Sequence, residues 1–434
     1  MNEDAANIGP GPLPHSLASV RLPATAVLVA WVLVLGGAGE GRLGAQSLPA
    51  SRVAPARVGQ RDGVPAFLHD HSAMGRVTQL VLNARPLATF GGPEGAPNFD
   101  LTSVVDVALL DGGGIAAASR SAGVMIFDRY GKGIRVIGRR GTGPGEFSNA
   151  RMTKLKGDTL LLIDLGTQRL TRLSPIHGLI GSESLVERLP APTGRPIGQL
   201  PTGALLLASA GSWSVLPEKK LRGQSNASIV LIRSGAKGTL LGQIADVELV
   251  TVETRSAGIK KPLVDQVRFG LRLQLALWDT LLVTSDGASY RVDLRNSAGK
   301  VVSVLEVAAP RAATTAAQRN AGRALELSAF ESYSKHTQIP TEARRLIRDA
   351  PYAQQLPAIS RLFVGDDATL WVVDGLTQFD TTWAATGFRT DGAMIGRLTG
   401  TGGVPVAFGE GVVLVKAVDE DGIVRLELRS IVPR

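Results

Sequence analysis

Cysteine is absent from this chain of 434 residues, and histidine occurs only five times. Without cysteine the chain has no disulfide bonds, no thiolate metal sites and no lipid-modified N-terminal cysteine. Catalytic zinc requires three protein ligands and an open position. Only His177 and His336 fall within residues 76–434, the stretch that we predict to fold. Carboxylates would therefore have to complete any zinc site in that stretch.

Long runs of one charge are also missing. Lys and Arg together number 47 and Asp and Glu 38, which gives a formal net charge of +9. The positive residues are scattered, and the longest runs are pairs such as Lys260–Lys261. Nucleic-acid-binding domains concentrate positive charge on one face, so we predict no nucleic acid partner. A basic balance favours an anionic ligand or an anionic cell-envelope surface.

The longest apolar run lies near the N-terminus and is too short to span a bilayer. Residues Ala24–Ala38 are uncharged and follow Arg21, but a membrane-spanning helix needs about 20 apolar residues. Small residues follow at Gly44–Ser47, where a signal peptidase could cut. We predict a secretory signal over residues 1–46, with an uncleaved N-terminal anchor as the alternative. The protein is then exported to the periplasm or outside the cell.

The next segment, residues 47–75, is rich in Pro, Ala, Arg and Gly and has no hydrophobic periodicity. This composition predicts a flexible linker. His69 and His71 flank an aspartate there, but a third ligand and a rigid scaffold are missing. We interpret them as solvated linker histidines rather than metal ligands.

The remaining sequence has the pattern of many short β-strands. Aromatic content is only 5%, and there are 51 Gly and 24 Pro, which suits tight turns better than long helices. An apolar stretch, a Gly- or Asp-containing turn and a second apolar stretch recur six times, as β-hairpins require. Three of the five spacings are about 45 residues, the period of propeller-like arrays. The turns are marked by Asp111, Asp158, Thr202, Asp279, Asp366 and Glu410.

A second hairpin in each unit predicts four strands per unit and an all-β, six-bladed β-propeller over residues 76–434. The last unit has room for only three strands, so we expect the N-terminal strand Arg76–Leu82 to complete it and close the ring. The longer spacings hold insertions. One of them, residues 311–350, has helical character and could form a lid over a channel mouth or a solvated decoration.

One glycine-rich loop, Gly138–Phe147, joins two strand-like segments, Val124–Phe127 and Leu160–Ile163. Its glycines allow positive φ and its proline fixes φ, so the loop should be tight and structural rather than catalytic. We expect the Glu146 carboxylate to accept hydrogen bonds from N–H groups of the loop and Phe147 to pin it between the two units. The structural loop residues are Gly141, Gly143, Pro144, Gly145, Glu146 and Phe147.

This loop, followed by an apolar strand and Asp164, resembles the NHL-type repeats of secreted bacterial six-bladed β-propeller proteins. The motif match covers only residues 124–173, and the first unit has Ala117–Ser119 where an acidic residue commonly ends the second strand. The resemblance implies a binding platform in most cases and a lyase or hydrolase in a minority. Lactonase-type members would hold a channel Ca²⁺ with carboxylate and amide oxygens, for which Asp106, Asn149 and Glu146 are candidates without a distinguishing spacing.

Ligands of propellers usually bind in the central channel or at one mouth. Polar residues ahead of the turn markers are therefore the candidate ligand-binding residues, and their excess of cations predicts an anionic ligand such as a carboxylate or acidic polymer. Ordinary solvated strand ends are the alternative interpretation. The candidates are Asp106, Arg151, Lys154, Arg195, Gln199, Arg272, Gln274 and Arg361.

No sequence motif indicates a catalytic centre: there is no nucleophile elbow, no His-Glu-x-x-His and no phosphate-binding loop. We predict a monomeric binding or interaction module for a protein, a small anion or an anionic polymer. A metal-dependent hydrolase or lyase with its site in the channel is the alternative. A third hypothesis is a membrane-tethered sensor that keeps its N-terminal apolar segment.

Overall fold

The computed structural model describes residues 52–91, 99–119, 123–190, 194–209, 222–256, 259–333, 341–419 and 422–434. The regular structure in these ranges is nearly all β-strand. Three α-helices accompany the strands, α1 (Ala73–Arg76), α2 (Ala316–Tyr333) and α3 (Thr341–Arg348). The predicted signal segment lies outside the described residues. None of the described helices has the length and apolar character needed to cross a membrane.

Four short strands near the N-terminus are added to sheets formed by later parts of the chain. They are β1 (Arg57–Arg61), β2 (Val64–Asp70), β3 (Gln79–Leu82) and β4 (Ala88–Phe90).

Two four-stranded antiparallel meanders follow, in which every strand pairs with the next along the chain. The second strand of each is an uninterrupted buried run, IAAAS and LLLID, as expected where neighbouring elements cover both faces. The first meander comprises β5 (Val104–Leu109), β6 (Ile115–Ser119), β7 (Gly123–Phe127) and β8 (Gly133–Ile137). The connecting loop contains β9 (Arg139–Arg140) and β10 (Glu146–Phe147), and the second meander comprises β11 (Ala150–Lys154), β12 (Leu160–Asp164), β13 (Arg169–Ser174) and β14 (Gly178–Ser184).

The third and fourth sheets are meanders with added strands. The third comprises β15 (Arg195–Gln199), β16 (Leu205–Ala208), β17 (Arg222–Ile232), β18 (Thr239–Ser256) and β19 (Ile259–Gln266). The fourth comprises β20 (Gln274–Trp278), β21 (Leu281–Ser285), β22 (Arg291–Arg295) and β23 (Val301–Ala308), then β2 parallel to β23 and β1 antiparallel to β2.

Two further meanders share a nine-stranded sheet, because β3 lies between them. One comprises β24 (Ile359–Val364), β25 (Leu370–Asp374), β26 (Thr382–Phe388) and β27 (Met394–Thr401). The other comprises β28 (Val404–Gly409), β29 (Val412–Val418) and β30 (Val424–Pro433), with β4 antiparallel to β30.

The first strands of these meanders contact one another in a closed circle. In chain order they are β5, β11, β15, β20, β24 and β28; each lies next to the following one, and β28 lies next to β5. A separate hydrophobic cluster fills each space between consecutive meanders. Trp278 and Phe388, for example, are buried between the fourth and fifth meanders. Sheet-on-sheet packing of this kind removes most of the apolar surface from water.

The N-terminal segment differs from the sequence prediction in two ways. The segment predicted as a flexible linker, residues 47–75, contains the β1–β2 hairpin, because β2 covers the edge of β23 and buries Ala66. His69 is likewise buried rather than solvated; its Nε2 lies 2.8 Å from the Gly392 carbonyl oxygen. Burial lowers the pKa of His69 below its usual value.

The closing strand is also more complicated than the prediction of Arg76–Leu82. β3 pairs in parallel with β27 and, on its other side, with only the last residues of β30, Ile431–Pro433. β4 pairs with Leu426–Leu428 in the middle of β30. The reason is packing: Leu80 of β3 enters the core between the last two meanders, and Phe90 of β4 enters the core between the last meander and the first. In the insertion at residues 311–350, the structure places α2 and α3.

Candidate functional site

A cavity of about 790 Å³ lies where the first strands of the meanders begin. Residues of β5, β11, β15, β20, β24 and β28 all line it, mostly from the early part of each strand. Its volume falls within the range of about 300–1,000 Å³ that is typical of small-molecule sites. We call this side of the circle the cavity end, and the opposite side, where the first strands finish and turn back, the turn end.

Bulges in the first strands shape the lining of the cavity. The register with the second strand shifts between Val104 and Asp106 in β5 and between Ile359 and Arg361 in β24. β15 and β28 have similar shifts. A bulge inserts one unpaired residue and re-aims its neighbours. As a result four consecutive residues of β5, 104–107, and four of β24, 360–363, contribute to the cavity.

The cavity is cationic with apolar surfaces between its charges. Five cations and two carboxylates line it: Arg151, Arg195, Arg272, Arg361 and Lys416, with Asp106 and Asp246. Valine and leucine side chains of the first strands, together with Phe363, supply much of the remaining surface.

Six of the eight predicted candidate residues line this cavity: Asp106, Arg151, Arg195, Arg272, Gln274 and Arg361. The other two, Lys154 and Gln199, are the last residues of β11 and β15 and lie at the turn end. Gln199 donates a hydrogen bond of 2.9 Å to the carbonyl of Gly203 in its own turn. Ligand binding by the six remains a prediction.

Three of the cavity cations line the same cavity as its two carboxylates, and we call these five residues the paired set: Asp106, Arg151, Arg195, Asp246 and Arg272. Asp106 accepts a hydrogen bond of 3.0 Å from the Met152 N–H and lies 3.8 Å from Arg151. Asp246 accepts from the Leu273 N–H at 3.3 Å. Burial raises the pKa of Asp106 even though this hydrogen bond and the neighbouring arginines oppose the shift.

Arg195 is the central cation of the paired set. Desolvation lowers its pKa, and the charges of Asp246 and Asp106 act in the opposite direction. Arg195 is nevertheless exposed to solvent, because its side chain faces the open cavity. The protein that surrounds the side chain accounts for the desolvation. Because the ordinary pKa of arginine is the highest among ionisable side chains, Arg195 remains charged despite this shift.

Arg361 and Lys416 form a second cationic group, on the wall made by β24, β28 and β29. Arg361 donates a long hydrogen bond of 3.4 Å to the carbonyl of Pro405, and Lys416 is the register partner of Val404. Desolvation lowers the pKa of both, and the charge of Arg361 lowers that of Lys416 further. In the described part of the chain neither cation has an ion-pair partner.

Besides three serines, sequence reasoning missed three polar residues of the cavity. Lys416 lies on the second strand of its meander, Asp246 on the fourth strand of the third sheet and Gln266 on β19. The prediction considered only first strands. The single lysine in the apolar segment VVLVKAV is the one sequence signal that could have identified Lys416.

At the turn end, Lys154 is the centre of an acidic cluster. Its Nζ lies 2.8 Å from Asp111, 3.4 Å from Asp366 and 3.8 Å from Asp158. We call these four residues the turn-end cluster. Burial would lower the pKa of Lys154, but the three carboxylates outweigh it and raise the pKa.

The glycine-rich loop is held by its own carboxylate. Glu146 accepts hydrogen bonds from the N–H groups of Gly143 at 3.0 Å and Thr142 at 3.1 Å and pairs with Arg139. These contacts, the Gly143 N–H first, lower the pKa of Glu146. Phe147 is buried in the core between the first two meanders.

Asp164, which follows the loop and strand, is a buried hydrogen-bond acceptor. It accepts from the backbone N–H groups of Ser148, Asn149, Gly166 and Thr167 at 2.6–3.0 Å. Burial opposes ionisation, but these hydrogen bonds prevail and lower its pKa. Its geometry is that of a structural acceptor joining loop and turn.

The candidate calcium ligands do not converge. Asp106 lines the cavity, whereas Glu146 is engaged in its loop. Within the described ranges no group of three or more His, Asp or Glu side chains is placed to hold a metal ion. His177 is exposed in a turn, and His336 lies outside the described residues. α2 and α3 do not contribute residues to the described cavity lining.

No family model matches the chain, and no curated protein matches it. Among solved structures, a DUF4221 family member from Bacteroides vulgatus is 10% identical, with 82% of this chain and 99% of that chain covered and a TM-score of 0.47. A candidate exported protein from Bacteroides fragilis is 12% identical, with 85% and 99% covered and a TM-score of 0.44. An inactive virginiamycin B lyase from Staphylococcus aureus with quinupristin is 11% identical, with 76% and 84% covered and a TM-score of 0.33. Likenesses this loose assign neither a ligand nor an activity.

Proposed function

We propose that the protein is an exported six-bladed β-propeller that binds a small anionic ligand in the cavity at the start of its first strands. The observation that carries the proposal is the excess of cations over carboxylates in a confined cavity with apolar walls. The binding of an anion is the interaction that such an arrangement favours.

The six-bladed architecture is supported by the closed circle of first strands and by the separate core between each pair of consecutive meanders. In this interpretation the nine-stranded sheet is two blades bridged by β3, and β4 is the outer strand of the last blade. A ring closed by both ends of the chain leaves no long free edge between the first and last blades. The resemblance of the Gly138–Phe147 loop to NHL-type repeats is consistent with this architecture.

Export is proposed from the signal pattern in residues 1–46. Expression of the full chain with a C-terminal tag, followed by cell fractionation and sequencing of the N-terminus, tests it. Export predicts a cleaved chain that begins near Gln46; an uncut chain in the membrane fraction would support the anchor instead.

Anion binding can be tested with two fluorescent probes of nearly the same shape. Anilinonaphthalene sulfonate (ANS) carries a sulfonate, whereas N-phenylnaphthylamine has the same rings and no charge. We expect the full-length protein to bind ANS at least about tenfold more tightly than the neutral probe, because one or two charge-assisted hydrogen bonds contribute on this scale. Equal affinities for the two probes would contradict the proposal.

A folding control is necessary because ANS also binds partly unfolded proteins. The cooperative thermal transition of the protein should be the same with and without the probe, or higher with it, since a ligand of the native state stabilises that state. Decanoate should displace ANS, and decanol should displace it much less. A lower transition temperature with ANS would show that the probe binds unfolded chains.

A further inference from the structure

Resting on the proposed function, we propose that the anionic group of the ligand binds at Arg361 and Lys416, so that the ligand is an organic acid whose acid group adjoins an apolar body. The wall concerned is made by Arg361 and Phe363 of β24, Val404 and Val406 of β28 and Lys416 of β29; we call it the acid-binding wall.

The two cationic groups of the cavity differ in what neutralises them. In the paired set, Arg151 lies 3.8 Å from Asp106, and Arg195 experiences the charges of Asp246 and Asp106. Arg272, the third arginine, donates a hydrogen bond of 3.1 Å to the side-chain oxygen of Gln266. On the acid-binding wall, neither Arg361 nor Lys416 has a carboxylate partner among the described residues. The negative charges of Asp106 and Asp246 repel an anion that enters the cavity. The anion therefore gains the most electrostatic binding energy at cations that have no carboxylate partner.

Burial strengthens this difference. Desolvation acts on Arg361 without an opposing charge, and Lys416 experiences both desolvation and the like charge of Arg361. Two cations left together away from bulk water are costly unless an anion joins them. A carboxylate, sulfonate or phosphate between them would supply that anion and would relieve their mutual repulsion.

The surroundings of these cations indicate what adjoins the acid group. Phe363 lies on the same strand as Arg361, and its ring packs 5.3 Å from that of Phe408. Val404, Val406 and Leu426 continue the same apolar surface. A ligand with its acid group at Arg361 therefore places the next few atoms against hydrocarbon, where burial contributes about 25 cal/mol per Å². A small hydrophilic diacid would not gain this contribution.

The test compares charge-removing variants of the two groups in the full-length protein, with ANS as the probe. Arg361→Gln and Lys416→Gln should each weaken ANS binding by about tenfold, the effect expected for one charge-assisted hydrogen bond. Arg272→Gln, from the paired set, should weaken it by less than about threefold. Arg389→Gln, on the surface beside Asp391, is the control and should bind ANS like the unaltered protein.

The neutral probe and thermal unfolding complete the design. N-phenylnaphthylamine should bind Arg361→Gln as well as it binds the unaltered protein, which separates loss of the charge contact from damage to the cavity. Without ligand, Arg361→Gln should unfold at the same or a higher temperature, because it removes one of two repelling cations.

The outcomes separate this inference from the proposed function. If Arg272→Gln loses as much ANS affinity as Arg361→Gln, or more, the cavity still binds anions but the acid-binding wall is wrongly assigned. If neither substitution changes ANS affinity, the probe binds elsewhere and both the inference and the proposed function fail.

Discussion

The first strands carry charged residues at both ends, but the two ends treat these charges in opposite ways. At the turn end one cation, Lys154, lies among three carboxylates within 3.8 Å. At the cavity end the lining holds five cations and only two carboxylates. The two ends therefore differ in the ratio of cations to carboxylates. An excess of carboxylates around one cation makes a structural ion-pair cluster, whereas an excess of cations leaves positive charge that can bind a ligand.

At the turn end, Lys154 connects carboxylates that come from three separate meanders. Asp111 belongs to the turn of the first meander, Asp158 to that of the second and Asp366 to that of the fifth, and Lys154 reaches all three. The Asp111 N–H also donates to Asp158 at 2.9 Å. These contacts connect sheets that are distant in sequence, so we assign the turn-end cluster to stability.

Replacing Lys154 with Met should produce the largest effect of the predictions drawn from this comparison. The change keeps the length of the side chain but leaves three carboxylates facing one another. Because only 18% of the Lys154 side chain is exposed, we expect the free energy of unfolding to fall by about 2 kcal/mol at neutral pH. Urea denaturation followed by circular dichroism measures it.

Lys156→Met is the matched control, since Lys156 is exposed two residues further along and should change stability by less than about 0.5 kcal/mol. ANS affinity should be unaltered in both variants. An unchanged unfolding midpoint for Lys154→Met, or a loss of ANS binding with stability intact, would remove the distinction between the two ends.

Asp106→Asn tests the cavity end from the opposite side, by removing a carboxylate instead of a cation. An asparagine can still accept the hydrogen bond from the Met152 N–H through its Oδ1. With one fewer negative charge near the bound anion, ANS should bind about fivefold more tightly, equivalent to about 1 kcal/mol.

The increase should shrink as salt is added, because partly exposed charges are screened. Asp391→Asn, at an exposed ion pair outside the cavity, should leave ANS affinity unaltered. Weaker ANS binding by Asp106→Asn would mean that Asp106 orients the arginines for binding rather than opposing the anion.

The sequence identified six of the polar residues that line the cavity, because turn residues mark where each first strand must end. Asp111, Asp158 and Asp366 occur just after first strands, so the polar residues that precede them could be assigned to those strands. The turn pattern does not separate the two ends of a strand, so it groups Lys154 with the cavity residues. Arg151 and Lys154 are three positions apart in β11. Three residues along a strand correspond to about 10 Å, which places Lys154 at the other end of the strand from Arg151.

Other features depend on packing that no local pattern records. The bulge between Ile359 and Arg361 adds a residue that changes which side chains face the cavity, and its sequence, Ile-Ser-Arg, contains no glycine or proline to mark it. β4 is only three residues long, too short for a periodic signal. The β1–β2 hairpin pairs with the edge of β23, and that edge exists only after the fourth sheet has formed.

Changing the pH should alter ANS affinity less than the substitutions do, but the change should depend on one group, Asp106. Burial raises the pKa of Asp106, so this carboxyl begins to bind protons at a higher pH than an ordinary aspartate. The sulfonate of ANS and the arginines keep their charges throughout this range. As the pH falls from about 7 to about 4.5, neutralisation of Asp106 leaves the cavity cations less opposed, and we expect affinity to rise about threefold.

Asp106→Asn should bind tightly at neutral pH and lose most of this rise, whereas Asp246→Asn should retain it. Fluorescence titrations at each pH, restricted to conditions in which circular dichroism shows the native protein, measure both. The direction follows from the sign of the shift: protonation of a carboxylate makes the cavity more positive, so acid must favour the anion. Affinity that falls on acidification, or a rise that persists in Asp106→Asn, would show that another group controls the charge of the cavity end.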